Sequence, residues 1–226
     1  MLDLGFNKIV AVVEVKIDAP QFPGRALMKF ANDLSLIEVL IKRLKASTLL
    51  DDIVLTYPWD ASNTPLNHIA MNAGVHTLRG KEDDVLDRVY RAAVSRKAGI
   101  VAHIRDNSPL IDPFVVDRCI SAIKQFSNFD YVVAQDLPEG TYPEVMSLDA
   151  LEKAWEQAEE PADRSTVTGF LKANPAHFKQ YTLQWEPANW AFSRVTVDNE
   201  NDFRLVNSLI ARFRECTQLG LNDLKR

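Results

Sequence analysis

Short β-branched apolar runs alternate along the chain with longer stretches whose apolar residues recur at helical spacing. Lys8 to Val15 reads as a buried strand, and Leu34 to Ala46, with Leu36, Ile37, Leu40, Ile41 and Leu44 on one face, as a helix. The alternation predicts a strand at Asp52 to Tyr57, a helix from about Ala61 to Asn72, a strand at Val75 to Leu78, a helix over Asp83 to Arg96 and a strand at Ile100 to Ile104. Asp112-Pro113 supplies an N-cap followed by proline at the first helical position, so a helix begins there and runs to about Phe126, ahead of a strand at Tyr131 to Ala134.

Beyond Gln135 the rhythm changes. A loop bearing proline and glycine leads to a short strand at Glu144 to Ser147, helices over Leu148 to Ala158 and Asp163 to Ala173, strands at Gln180 to Gln184 and Ala191 to Val197, and a last helix from Glu200 to about Glu215. Strand and helix in alternation specify an α/β fold, a mostly parallel mixed sheet between two helical layers. Residues 1–226 are expected to form one domain, with 135–186 as an excursion from the sheet that covers a site or makes a dimer contact. Ligands of such sheets bind beyond the carboxyl ends of the strands, which nominates the loops after Val15, Tyr57, Leu78, Ile104 and Val197.

Composition narrows the chemistry. A net charge of -5 argues against general nucleic-acid binding, which needs a basic stripe, but leaves room for a small anionic ligand in a local cationic pocket. The two cysteines, Cys119 and Cys216, lie apart within helical patterns and read as buried reduced thiols. The N-terminal residues show neither a basic signal-peptide region nor an apolar run long enough to span a membrane, and a cytoplasmic protein is expected.

Four motifs occur in order: the loop Lys16 to Leu27, Gly80-Lys81-Glu82-Asp83-Asp84-Val85-Leu86-Asp87-Arg88, Ser108-Pro109-Leu110-Ile111-Asp112-Pro113, and Val195-Thr196-Val197-Asp198. With Leu151-Glu152-Lys153-Ala154-Trp155, Asp163-Arg164 and Asp202-Phe203, they resemble the spore-coat-polysaccharide type of cytidylyltransferase, related to the synthetases of CMP-activated sugar acids. The resemblance spans nearly the whole chain. It implies a glycosyltransferase-A-like fold, a homodimer, and magnesium-assisted transfer of CMP from CTP to a sugar or sugar-acid acceptor with release of pyrophosphate, in surface-polysaccharide precursor synthesis.

By the same resemblance, Lys16 and Arg25 meet the phosphates, and Val15, Pro23, Gly24, Arg79, Asp84 and Arg88 surround the nucleotide. Asp198 holds the metal, with Asn107 or Asp106 beside it. Several positions depart from the family pattern: Glu14 stands for Gln, Gln21 for the loop's internal Arg, Asn107 for the Asp before the proline motif, Tyr142 for an acid and Thr166 for His. Asp18 adds an acid to the loop. Asp106 is expected to point away if the loop keeps the family geometry. These changes support an alternative, a degenerate relative that binds a nucleotide or a protein partner without turnover.

Plainer explanations compete at several positions. Asp198 reads equally as a helix N-cap or a metal ligand, and Asp84, Asp87 and Arg88 as dipole partners and solvent-facing ion pairs. Pro23-Gly24 is better explained as a ligand loop than as an ordinary turn. His103, next to the site loop, is placed either to titrate or touch a phosphate or, the favoured reading, to pack with a backbone partner, while His68, His76 and His177 have no constellation around them. Trp185, Trp190 and Phe192 suit stacking on a base or sugar, core packing or, the favoured reading, an interface. The sequence contains no P-loop, dinucleotide fingerprint or Ser-His-Asp arrangement.

Overall fold

The computed structural model describes residues 7–125, 129–186 and 188–226. Its centre is a seven-stranded sheet with order β3-β2-β1-β4-β6-β5-β7. The strands are β1 Lys8–Glu14, β2 Asp52–Pro58, β3 His76–Gly80, β4 Ala98–Arg105, β5 Tyr131–Gln135, β6 Glu144–Ser147 and β7 Gln180–Gln184. β3, β2, β1 and β4 run parallel, and β6 is antiparallel to both of its neighbours, β4 and β5.

β1 shows why the sheet is covered on both sides. Val10 and Val12 point into one buried cluster with α3 (Val85–Ser95) and α5 (Leu148–Gln157), whereas Ala11, Val13 and Val15 point into another with α1 (Leu36–Leu44), α2 (Thr64–Ala73) and α4 (Pro113–Gln125). The predicted three-layer α/β/α arrangement is therefore present, and its mixed sheet is parallel in the first half. The α1 start is a capping box in which Ser35 accepts from the Glu38 N–H while the Glu38 carboxylate accepts from the Ser35 N–H. Asp112 caps α4 as expected, accepting the Phe114 N–H at 2.9 Å.

Segment 135–186 contributes β6 and β7 to the sheet, with α5 and two further helical pieces leaving it in between. Three sequence expectations are corrected. The helix expected over Asp163 to Ala173 is two short pieces, α6 (Pro161–Arg164) and α7 (Gly169–Ala173), because residues 165–168 turn the chain so that the Thr168 hydroxyl meets Glu144. Ala191 to Val197 forms no strand: it makes one isolated bridge, Arg194 with Glu139, outside the sheet, and Val195 and Val197 bury in a third apolar cluster. The last helix, α8 (Glu200–Ile210), stops short of Glu215, since the chain bends to bury Cys216 and Leu219 beneath α1.

Candidate nucleotide site

The order of strands turns at β1. From it the chain goes to β2 on one side and returns to β4 on the other, so a crevice opens beyond the carboxyl ends of β1 and β4. The walls are the loop after Glu14 and the turn after Arg105. They are pinned together, with the Asp106 N–H donating to the Glu14 carbonyl at 3.0 Å and the Lys16 N–H to Asp106 Oδ2 at 3.4 Å.

The loop after β1 folds back on itself through Gly24, whose N–H reaches the Ile17 carbonyl at 2.7 Å with φ +79°. That left-handed conformation favours glycine and starts the short turn Arg25–Leu27, which aims Arg25 inward. Arg25 is buried, and its Nη2 donates to Asp106 Oδ1 at 2.6 Å. Its Nη1 lies 4.0 Å from Asp198 Oδ1, and Nη1 and Nε are buried without a hydrogen-bond partner. Orphaned guanidinium donors of this kind are costly unless a ligand completes them.

Asp198 reaches the crevice because the third apolar cluster holds Val195 and Val197 and because the Val197 N–H donates to the Asn107 carbonyl at 2.7 Å. Asn199, not Asp198, caps α8, accepting the Asp202 N–H at 3.0 Å. Asp198 Oδ1 accepts from Asn107 Nδ2 at 2.8 Å, and Oδ2 accepts from Thr196 Oγ1 and Arg194 Nη1, each at 2.9 Å. Burial alone would raise the Asp198 pKa, but these hydrogen bonds, with the charges of Arg25 and Arg194, hold it below the ordinary carboxylate value. For buried Asp106 the balance reverses: desolvation pushes it up despite Arg25. Asp106 does not point away; it faces Arg25.

The remaining sequence candidates sit around this centre. Val15 has its side chain in the core and meets the crevice only through its backbone. Lys16 pairs with Glu82, Pro23 is exposed on the loop, and Arg79 is exposed on the edge strand β3. Asp84 caps α3 through the Asp87 N–H at 3.0 Å and accepts from Arg164 Nε at 2.9 Å. Arg88 is not solvent-facing: it is buried and donates to the Lys81 and Glu82 carbonyls.

A second group of charges, whose pairing no sequence pattern linked, lies on the same end of the sheet. His103 Nε2 lies 3.2 Å from Glu14 Oε2 and His103 Nδ1 lies 3.4 Å from Glu144 Oε2, so two carboxylates, not a backbone group, are its partners. Glu144 also accepts from Tyr131 at 2.7 Å, from Thr168 and from Lys172. Burial disfavours the imidazolium, but the two carboxylates push its pKa up to about 9. Periodicity assigned His103 to a strand and could not show which residues β1 and β6 place beside it. Arg194, which also holds both oxygens of Asp202 at 2.8 and 2.9 Å, carried no motif signal.

Among the described residues no group of three or more His, Cys, Asp or Glu converges on a metal position, and no helix is long and apolar enough to cross a membrane. Trp185 and Trp190 pack partly against the main core and Phe192 against the third cluster.

The crevice at the switch point thus holds a buried, under-satisfied arginine between two aspartates, and the seven-stranded sheet that frames it has the glycosyltransferase-A-like α/β fold. A cytidylyltransferase of Leptospira borgpetersenii has this fold, with a TM-score of 0.89 at 21% identity over 96% of this chain and 92% of that one. Residues 10–222 match the family model described as Cytidylyltransferase, and the chain belongs to that family. It is similar to an uncharacterized protein of Methanocaldococcus jannaschii, 32% identical over 91% of this chain and 84% of that protein. It is also similar to the spore coat polysaccharide biosynthesis protein SpsF of Bacillus subtilis, at 23% identity over 96% and 92%.

Proposed function

We propose that this protein transfers CMP from CTP to a sugar-like acceptor, releasing pyrophosphate, as a step in making a polysaccharide precursor. The observation that carries the reading is Arg25: a buried guanidinium with two unpartnered donor atoms at the switch-point crevice of a cytidylyltransferase-family sheet. Those donors suit phosphate oxygens, and Lys16, released from its exposed partner Glu82, supplies a second cation. Gly24 and Val15 offer backbone to the nucleotide, and Pro23, Arg79, Asp84 and Arg88 frame it. The acceptor hydroxyl attacks the α-phosphorus in line, so the protein's work is positioning and charge neutralisation, without a covalent nucleophile.

A hard divalent cation, magnesium in our reading, suits Asp198 with the triphosphate itself, because magnesium is commonly held by one or two carboxylates and substrate phosphates; Asn107 would add its side-chain Oδ1 only by turning its amide, whose nitrogen now faces Asp198. Asp106 is committed to Arg25 and acts on the metal only through charge. Bound there, the ion would neutralise the phosphates.

A second reading, nucleotide binding without turnover, is favoured by one contact: the Asn107 amide donates to Asp198, spending on a neutral group the oxygen that a metal would use. Calorimetric titration of CTP, ATP, GTP and UTP, each with and without magnesium, separates the readings. Magnesium-dependent, CTP-selective binding is expected of the transferase; metal-independent binding of CTP would favour the second reading, and no binding of any nucleotide would sink both.

A further inference from the structure

Next to the nucleotide crevice, on the side of β4 and β6, lies a cavity of about 620 Å³. Its charged wall consists of Glu14, Glu139 and Glu144 against His103, Arg105 and Lys172. Every cation in this wall already has a carboxylate. His103 lies between Glu14 and Glu144, Lys172 pairs with Glu144, and Arg105 Nη2 donates to Glu139 Oε1 at 2.9 Å. Three negative groups thus balance three positive ones once His103 is protonated, a state its two carboxylates favour. The wall therefore carries no excess positive charge to attract a further anion.

The loop of the nucleotide site presents Gln21, an amide, to the same space, and Ser108, Tyr142 and Thr166 complete a wall of neutral donors and acceptors. Glu14 Oε1 makes no hydrogen bond to another described residue, although Oε2 is held by His103. A ligand carboxylate entering here would give up hydration while lying near three protein carboxylates, and every cation within its reach already has its charge offset by one of them. Hydroxyl groups face no such penalty: each can donate to a carboxylate and accept from an amide or hydroxyl.

We infer that this cavity is the acceptor subsite and that it selects an uncharged, polyhydroxylated acceptor over one bearing a carboxylate. The inference rests on the nucleotidyltransferase reading, which makes a cavity flanking the α-phosphate position the place of the attacking hydroxyl. Glu14 is then the specificity-determining residue, because it balances the histidinium that would otherwise attract an acid.

The test titrates ribitol, sorbitol, ribonate and gluconate into the protein while following the His103 imidazole signals by NMR. Concentrations rise to about 50 mM, enough to load a millimolar ligand, with and without saturating CTP. The polyols should shift His103 and the matched acids should do so at least about tenfold more weakly. In Glu14→Gln the order should move towards the acids by about tenfold or more, the effect of removing one close like charge. Acids binding the natural protein as well as the polyols do, or no His103 response to either polyol, would overturn the inference. CTP binding is measured separately by calorimetry on the same sample: its failure would sink the nucleotide reading, whereas CTP binding with a silent His103 would sink the acceptor assignment alone.

Discussion

At the scale of single residues, the site is governed by which charges are already paired. His103 shows the consequence for pH. Its pKa, raised from 6.5 to about 9, means that its contribution to stability is complete below about 6.5 and is lost progressively as pH rises to about 9. Glu14 and Glu144, both held below 4.5, contribute above that value and lose their contribution as pH falls. The cluster therefore stabilises the fold most between about pH 4.5 and 6.5, and the unfolding midpoint should fall between pH 7 and 9. In His103→Gln that alkaline decline should flatten; an unchanged slope would count against the pairing. Asn107→Asp places a second carboxylate against Asp198, now 2.8 Å from the amide nitrogen. Like charges at that range repel, so the variant should melt below the natural protein in chelator and recover on adding magnesium. A melting temperature indifferent to magnesium would argue that no ion is held at this pair.

At the scale of elements, the parallel half was legible because its strands are β-branched runs between helices of clear amphipathic period, and Asp112-Pro113 marked a helix start by chemistry alone. The later half was harder for identifiable reasons. Ala191 to Val197 has the composition of a strand, but its valines bury beside α8 and its backbone makes only an isolated bridge with Glu139, outside the sheet. The break between α6 and α7 depends on Thr168 and Glu144, partners 24 residues apart that no local pattern links. The loop Lys16 to Leu27 was legible in shape through Gly24 but not in its bonding to Asp106, 81 residues beyond Arg25. Gly24→Ala must hold φ +79°, so it should destabilise by about 1 kcal/mol and weaken CTP binding by misdirecting Arg25. Denaturant unfolding and nucleotide titration read the two effects separately.

Across the whole molecule, the C-terminal segment is tied beneath the sheet's helical layer by Arg43. This fully buried side chain donates to the Ile111 carbonyl at 2.7 Å, to that of Cys216 and to that of Leu219 at 2.8 Å. Nothing in the spacing around Arg43 distinguished it from a surface cation of α1, because its acceptors lie 68 to 176 residues further along the chain. Arg43→Met keeps much of the volume but orphans three carbonyls, and urea unfolding should show a loss of about 3 kcal/mol. The association expected through segment 135–186 belongs to this scale too: solution scattering should give the mass of a dimer, and a monomeric profile would remove that expectation.

The proposed transfer depends most on Arg25 as the group that completes its hydrogen bonds on a nucleoside triphosphate. Calorimetric titration of CTP into the natural protein and into Arg25→Lys tests this directly, since lysine keeps the charge near Asp106 but not the forked donors. The account predicts measurable CTP binding that weakens at least about tenfold in the variant, as expected for loss of one charge-assisted hydrogen bond. Equal affinity in the two proteins would contradict it.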